Sequence, residues 1–120
     1  TRSSRSHFVK AMGLRWLSVM LLAPIPWARR VWALPFLTAL APSERYSAEH
    51  RQRHKSLLVW ARQLLRQVRR WLPGRALIAV ADSNFAALEL LGALRGELTC
   101  ITRLRFDARL FAPAPPRRPG

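Results

Sequence analysis

The order of its apolar segments predicts that this chain is an α/β protein with a mixed sheet: an antiparallel hairpin, a long helix, a strand ending in Asp82, a helix and a last strand. Three observations carry that reading. Ala76 to Ala81 is an unbroken apolar run followed by Asp82-Ser83-Asn84, the pattern of a strand covered on both faces. The stretch from about Ser47 to Leu72 turns helical, its apolar residues from Leu57 onward recurring at spacings of three and four, the period of a helix. Between Gly13 and Leu40, two runs rich in Trp, Val, Ile, Phe and Thr flank a turn at Pro24 to Arg30, as in a hairpin.

Taken in order, Thr1 to Lys10 is polar and basic and reads as a loop entering the fold. The absence of a starting Met makes the chain look like the interior of something longer. The next segment is apolar enough to weigh against a membrane helix, but Arg15, the Pro24/Pro26 pair and Arg29-Arg30 interrupt it before a spanning length is reached. Proline cannot donate to a strand ladder, so Pro35 predicts an edge position or a bulge. Ala41-Pro42-Ser43 breaks the pattern before the long helix. On that helix Leu57, Ala61, Leu64, Leu65, Val68, Trp71 and Leu72 form the apolar stripe, and Arg62, Arg66 and Arg69 line an exposed ridge. Pro73 and Gly74 should stop it at Leu72. Arg69 and Arg70 also suit the negative end of the helix dipole.

After the strand ending at Asp82, Ser83 or Asn84 is placed to cap a helix whose core side carries Phe85, Leu88, Leu91 and Leu94. Gly96 ends it. Leu98 to Leu104 reads as the last strand, and strand, helix, strand in succession implies a right-handed parallel crossover. Ala112 to Gly120, rich in proline around Arg117-Arg118, is a basic tail or linker.

The length suits one domain with one core, and an apolar fraction of 50% excludes a disordered basic tail. Lys plus Arg number 21 against 6 Asp plus Glu, a formal net charge of +15, which points to a polyanion such as nucleic acid. Only Lys10 and Lys55 are lysines, so the positive charge is nearly all arginine, the better bidentate phosphate ligand. The single Cys100 excludes an intrachain disulfide and a cysteine-rich zinc site and fits a reducing, cytoplasmic setting.

Asp82 is the leading chemical candidate, because a carboxylate at a strand end flanked by small residues is open both to a hard divalent ion and to a phosphate. The competing structural role is a plain helix cap. His7, His50 and His54 invite a zinc reading; His50 and His54 are spaced to share a helix face, yet no third ligand falls at a suitable spacing. Cys100, within an apolar strand, reads as an inert buried thiol. No Gly-x-Ser-x-Gly elbow or glycine-rich phosphate loop occurs. Candidate DNA contacts are Arg29 and Arg30 in the turn, Arg62 and Arg66 on the long helix, Arg103 and Arg105 after the last strand, and Arg117 and Arg118 in the tail. Arg2 and Arg5 add charge at the start. Such contacts would be salt-dependent and largely indifferent to sequence.

The residues Gly13-Leu-Arg-Trp-Leu-Ser-Val-Met-Leu-Leu-Ala-Pro-Ile-Pro-Trp27, Val31-Trp-Ala-Leu-Pro-Phe-Leu-Thr38, Ala41-Pro-Ser-Glu-Arg-Tyr46, Arg69-Arg-Trp-Leu-Pro-Gly74 and Ala81-Asp-Ser-Asn-Phe-Ala-Ala-Leu-Glu-Leu-Leu91 closely resemble bacterial insertion-sequence transposases of the DDE endonuclease superfamily. Thr102-Arg-Leu-Arg-Phe-Asp-Ala-Arg-Leu-Phe111 is similar as well, so the resemblance covers nearly the whole chain. It implies an RNase H-like catalytic domain, here incomplete over residues 1–112 with 113–120 as a tail. It implies DNA strand cleavage and transfer through three carboxylates that hold Mg2+ or Mn2+, with Asp82 matching the second. It also implies DNA as partner, no membrane, a homo-oligomer for the complete protein and a bacterial cytoplasmic, nucleoid-associated location.

The first family acid lies on a strand before the hairpin, and no Asp or Glu precedes Glu44 here. The third comes from a later helix, and Glu89, Glu97 and Asp107 lie too early for it. Asn84 stands where many relatives have Ser, a departure confined to the cap. The resulting expectation is an internal fragment that binds metal weakly and is inactive alone, with the hairpin and the Asp82 strand lacking a shared neighbour. A non-catalytic basic nucleic-acid-binding remnant is the alternative class, and a small membrane-associated protein a further one.

Overall fold

The computed structural model describes residues 13–116. Its elements run β1 (Trp16–Ile25), β2 (Arg30–Leu40), α1 (Glu44–Glu49), α2 (Leu57–Trp71), β3 (Ile78–Ala81), α3 (Leu88–Leu94) and β4 (Thr99–Thr102). The chain divides after Trp71 into two compact units.

In the first unit β1 and β2 pair antiparallel from Trp16 opposite Leu40 to Ile25 opposite Arg30. The register slips between Val19 and Met20, which face Leu37 and Pro35 and leave Phe36 as the extra residue of a bulge. That is the irregularity Pro35 demands, because its nitrogen has no hydrogen to give the ladder. The connection is a short 3-10 turn, Pro26–Ala28, closed by the Arg29 amide donating to the Pro26 carbonyl at 3.3 Å, with Arg29 itself left-handed at φ 52°. Hydroxyls of Ser18 and Thr38 meet across the strands at 2.8 Å.

The helical region is two helices rather than one from Ser47 to Leu72. Ser43 caps α1 by accepting the Tyr46 amide, and α1 ends at His50. Arg51 turns left-handed at φ 52°, and Ser56 opens α2 by accepting the Val59 amide. Two serines compete for helix starts here, and residues 50–56 are too polar to hold a helix between them by burial. α2 packs against β1 and buries Ala61 and Leu64. It stops at Trp71, one residue before Leu72. The arginine ridge is not freely exposed as the periodicity predicts: Arg62, Arg66 and Arg69 are half-buried, with the Arg66 Nε fully covered.

In the second unit β3 and β4 pair in parallel, Ile78 opposite Thr99 through Ala81 opposite Thr102, with α3 in the crossover. Leu90 and Leu94 are the buried residues of α3, and Leu94 has no accessible surface. Gly96, at φ 82°, supplies the left-handed exit where Glu97 and Leu98 amides donate to the Leu94 carbonyl at 3.0 and 3.3 Å. β3 is not covered on both faces: Ile78 and Val80 remain 66% and 62% exposed.

An antiparallel hairpin, helices and a parallel strand pair make this a mixed α/β architecture compatible with an incomplete RNase H-like fold. Among the described residues the strands form two two-stranded sheets, β1–β2 in the first unit and β3–β4 in the second. No helix among the described residues is long and apolar enough to cross a membrane; residues 16–40 are the hairpin.

Leu94→Ala should lower the stability of the chain by about 2–5 kcal/mol, because a fully enclosed leucine loses both its transfer energy and its packing. Urea unfolding followed by circular dichroism measures this; a loss below about 1 kcal/mol would mean the side chain is not enclosed in solution.

Candidate functional site

Parallel pairing sends the ends of β3 and β4 out at one edge, and Asp82 follows the last residue of β3 there. Its backbone is extended at φ −76° and ψ 179°. One carboxylate oxygen, Oδ1, accepts the Asn84 amide at 2.9 Å, so Asp82 itself caps the 3-10 turn Ser83–Phe85. Neither Ser83 nor Asn84 caps α3, which starts after Ala87 without a side-chain cap. The Asp82 carbonyl accepts the Thr102 hydroxyl at 2.8 Å and the Phe85 amide at 3.1 Å. These bonds tie the ends of the two strands and set the carboxylate's direction. The second oxygen, Oδ2, has no hydrogen-bond partner among the described residues.

Beside the carboxylate lies an open cleft of about 690 Å³ lined by Ala81 to Ser83 and by Arg103 to Asp107. Arg105 is engaged there: its Nε and Nη2 donate to the two Asp107 oxygens at 3.0 and 2.9 Å. The Arg103 guanidinium lies 5.7 Å from the centre of the Phe106 ring, which is almost wholly exposed. Arg103 and Arg105 therefore share the Asp82 cleft, as residues following the last strand should. Thr102, Phe106 and Asp107 were not distinguished as site residues by the sequence. Thr102 carried a usable signal, since in a parallel pair the last residues of the two strands are neighbours; the Phe106 and Asp107 positions depend on an irregular segment with no period.

The other candidates lie elsewhere. Arg29 and Arg30 are exposed at the hairpin end, and Arg62 and Arg66 are on α2, all in the first unit. Arg117, Arg118, Arg2, Arg5 and His7 lie outside the described residues. His50 and His54 do not share a helix: His50 ends α1, with its ring stacked on Tyr46 at 3.9 Å, and His54 is in the loop before α2. Cys100 is half-buried on β4, and burial pushes its thiol above the ordinary value, which fits the inert reading.

Among the described residues no three His, Cys, Asp or Glu side chains come together as a metal would require. Asp82 supplies one hard oxygen of the type that Mg2+ or Mn2+ takes. One carboxylate does not complete such a site.

Against known protein families, residues 1–120 match the family described as DDE superfamily endonuclease. No curated protein and no solved structure matches the chain.

Thr102→Val should cost about 1 kcal/mol by removing the hydroxyl that ties β4 to Asp82, whereas Asp82→Asn, which keeps the capping oxygen, should stay within about 0.5 kcal/mol of the parent. Thermal unfolding compares the three. The raised Cys100 thiol leaves less thiolate at any given pH, so iodoacetamide should modify the folded chain more slowly than the urea-unfolded chain at neutral pH. Equal rates would show that Cys100 is not shielded.

Proposed function

Because the chain belongs to the DDE superfamily of endonucleases, we propose that Asp82 is one of the metal-binding carboxylates of a transposase catalytic domain. The observation that carries this is the position of Asp82: a carboxylate at the carboxyl edge of parallel strands, in a chain whose family match runs over residues 1–120. The family is one of transposase-like nucleases acting on DNA, generally with divalent metals. When bound, such an ion stabilises negative charge on a phosphate and on the attacking oxygen.

The chain's own part at this edge is to hold and present groups. The Asn84 amide at the start of the Ser83–Phe85 turn holds the Asp82 carboxylate by Oδ1 and leaves Oδ2 available. The Thr102 hydroxyl keeps the edges of β3 and β4 in step. Arg103 offers positive charge to a phosphate in the same cleft, with Arg105 braced by Asp107. Arg29, Arg30, Arg62, Arg66, Arg117 and Arg118 add sequence-independent phosphate contacts. Residues 1–112 are assigned to the catalytic domain and 113–120 to a basic tail.

By themselves these 120 residues bring one of the three carboxylates that the chemistry needs. They bind DNA without cutting it and hold metal weakly. A Mn2+ titration followed by NMR should broaden amide signals around Asp82 to Asn84 only at high metal concentration, and Asp82→Asn should abolish the effect. Broadening that persists in the variant would remove Asp82 from the role. Supercoiled plasmid incubated with the chain and Mg2+ or Mn2+ should remain uncut; nicking that Asp82→Asn abolishes would show a complete active site instead.

The non-catalytic remnant remains a distinct second reading, favoured by the formal net charge of +15. It requires DNA binding with no local metal effect at Asp82, so the same titration separates the two.

A further inference from the structure

We infer that the end of the β1–β2 hairpin is a preformed perch for unpaired nucleic acid, on which a base stacks against Trp27 while Arg29 and Arg30 hold the flanking phosphates. The inference rests on the DNA-binding reading above and adds a site distinct from the Asp82 cleft.

Four features of the end converge. Trp27 is 78% exposed, although an indole of this size is normally among the better covered side chains. It is nonetheless held in place: its ring meets Trp32 edge-on, with centres 5.1 Å apart and planes at 80°. Pro24 and Pro26 restrict the backbone on its approach, and Pro26 starts the 3-10 turn that carries it. A rigid aromatic loses little freedom when a base settles on it.

The fourth feature is Arg29. It sits left-handed at φ 52° and ψ 34°, a conformation that glycine occupies with ease and a side chain does not. The turn geometry therefore favours glycine, yet the chain places a guanidinium there. Arg30 follows immediately, and both line a hollow of about 310 Å³ with Pro24, Ile25, Pro26 and Val31. No acid occurs anywhere before Glu44, so neither arginine has a carboxylate nearby in sequence to neutralise it.

An exposed ring two residues before guanidinium groups that have no ion pair among the described residues matches the two parts of an unpaired nucleotide, its base face and its phosphate. Duplex DNA offers the phosphates but keeps its base faces stacked. The perch should accordingly favour single strands, with contacts indifferent to base identity. The same chemistry, a tryptophan with arginines, also suits an anionic lipid surface; the DNA-acting family favours nucleic acid.

The test uses the full 120-residue chain, a fluorescein-labelled oligothymidylate and a duplex of the same length, with anisotropy read over a range of salt. The chain should bind the single strand more tightly than the duplex. Trp27→Ala should weaken oligothymidylate binding by about 5- to 100-fold and leave duplex binding nearly unchanged, while Trp27→Phe restores most of the loss. Arg29→Gly should weaken both probes and reduce the salt slope by about one while raising or preserving the melting temperature, a combination that a structural role would not give. Unchanged oligothymidylate affinity in Trp27→Ala would overturn the perch and leave the general DNA-binding reading intact. Failure of the unmodified chain to bind either probe would overturn both. Trp27-dependent binding to phosphatidylserine vesicles with no effect on the oligonucleotide would make the surface a lipid contact and overturn the inference too.

Discussion

Parallel pairing of β3 with β4 is the constraint on which the candidate site depends. Since both strands leave the sheet at the same edge, Asp82 and the Arg103–Asp107 segment line one cleft. An antiparallel partner would carry that segment to the opposite end, about 13 Å away over a four-residue strand. The crossover that parallel pairing requires is supplied by α3, whose enclosed Leu94 anchors it, with Gly96 providing the left-handed exit into β4. The Thr102 hydroxyl on the Asp82 carbonyl then stops the two ends from sliding. A short hydrophobic anchor, one glycine and one hydroxyl thus bring the Arg103–Asp107 segment to the edge that carries Asp82.

The same small sheets leave much apolar surface bare. A two-stranded ribbon has little to cover it on either face, and Trp16, Met20, Leu21, Leu22 and Val31 on the hairpin are exposed alongside Ile78, Val80 and Ile101 on the parallel pair. Such ribbons also present unpaired edges. The hairpin carries two interruptions against continued pairing, the bulge at Phe36 next to Pro35 and the proline at position 24 of β1. The parallel pair has neither, so β3 and β4 are the edges most open to a further strand.

Where the sequence was a good guide, a local rule and the tertiary environment agreed. Pro35 announced the bulge, Pro73-Gly74 the end of α2, Asp82 the end of β3, and the strand–helix–strand order the parallel pair. It misled where two local rules competed. Extending the helix back to Ser47, ahead of an apolar stripe that begins at Leu57, concealed the break at residues 50–56, because Ser43 and Ser56 each start a helix and periodicity alone does not weigh caps. Burial failed for a different reason. An apolar run states that a strand is suited to cover on both faces, not that cover is present, so Ile78 and Val80 were assigned neighbours they do not have. Within the site, Asp82 and both arginines were legible from their places after strands, whereas Phe106 joined them through an irregular segment that no repeat describes.

The acids sharpen the case for Asp82. In a chain with so few of them, each should have an evident electrostatic reason to exist. Glu44 and Glu89 occupy first turns of helices, where the dipole favours negative charge. Glu49 pairs with Arg45 at 2.9 Å, Asp107 pairs with Arg105, and Glu97 is also engaged. Asp82 gives Oδ1 to a backbone amide, and its Oδ2 has no partner among the described residues. A cap needs only the first oxygen, and asparagine would serve it as well. What the amide of asparagine would not supply is a negative charge, which would oppose the approach of a phosphate to this edge unless a cation lay between them. The capping bond thus explains the carboxylate's orientation but not its charge, and the proposed metal-binding role explains the charge.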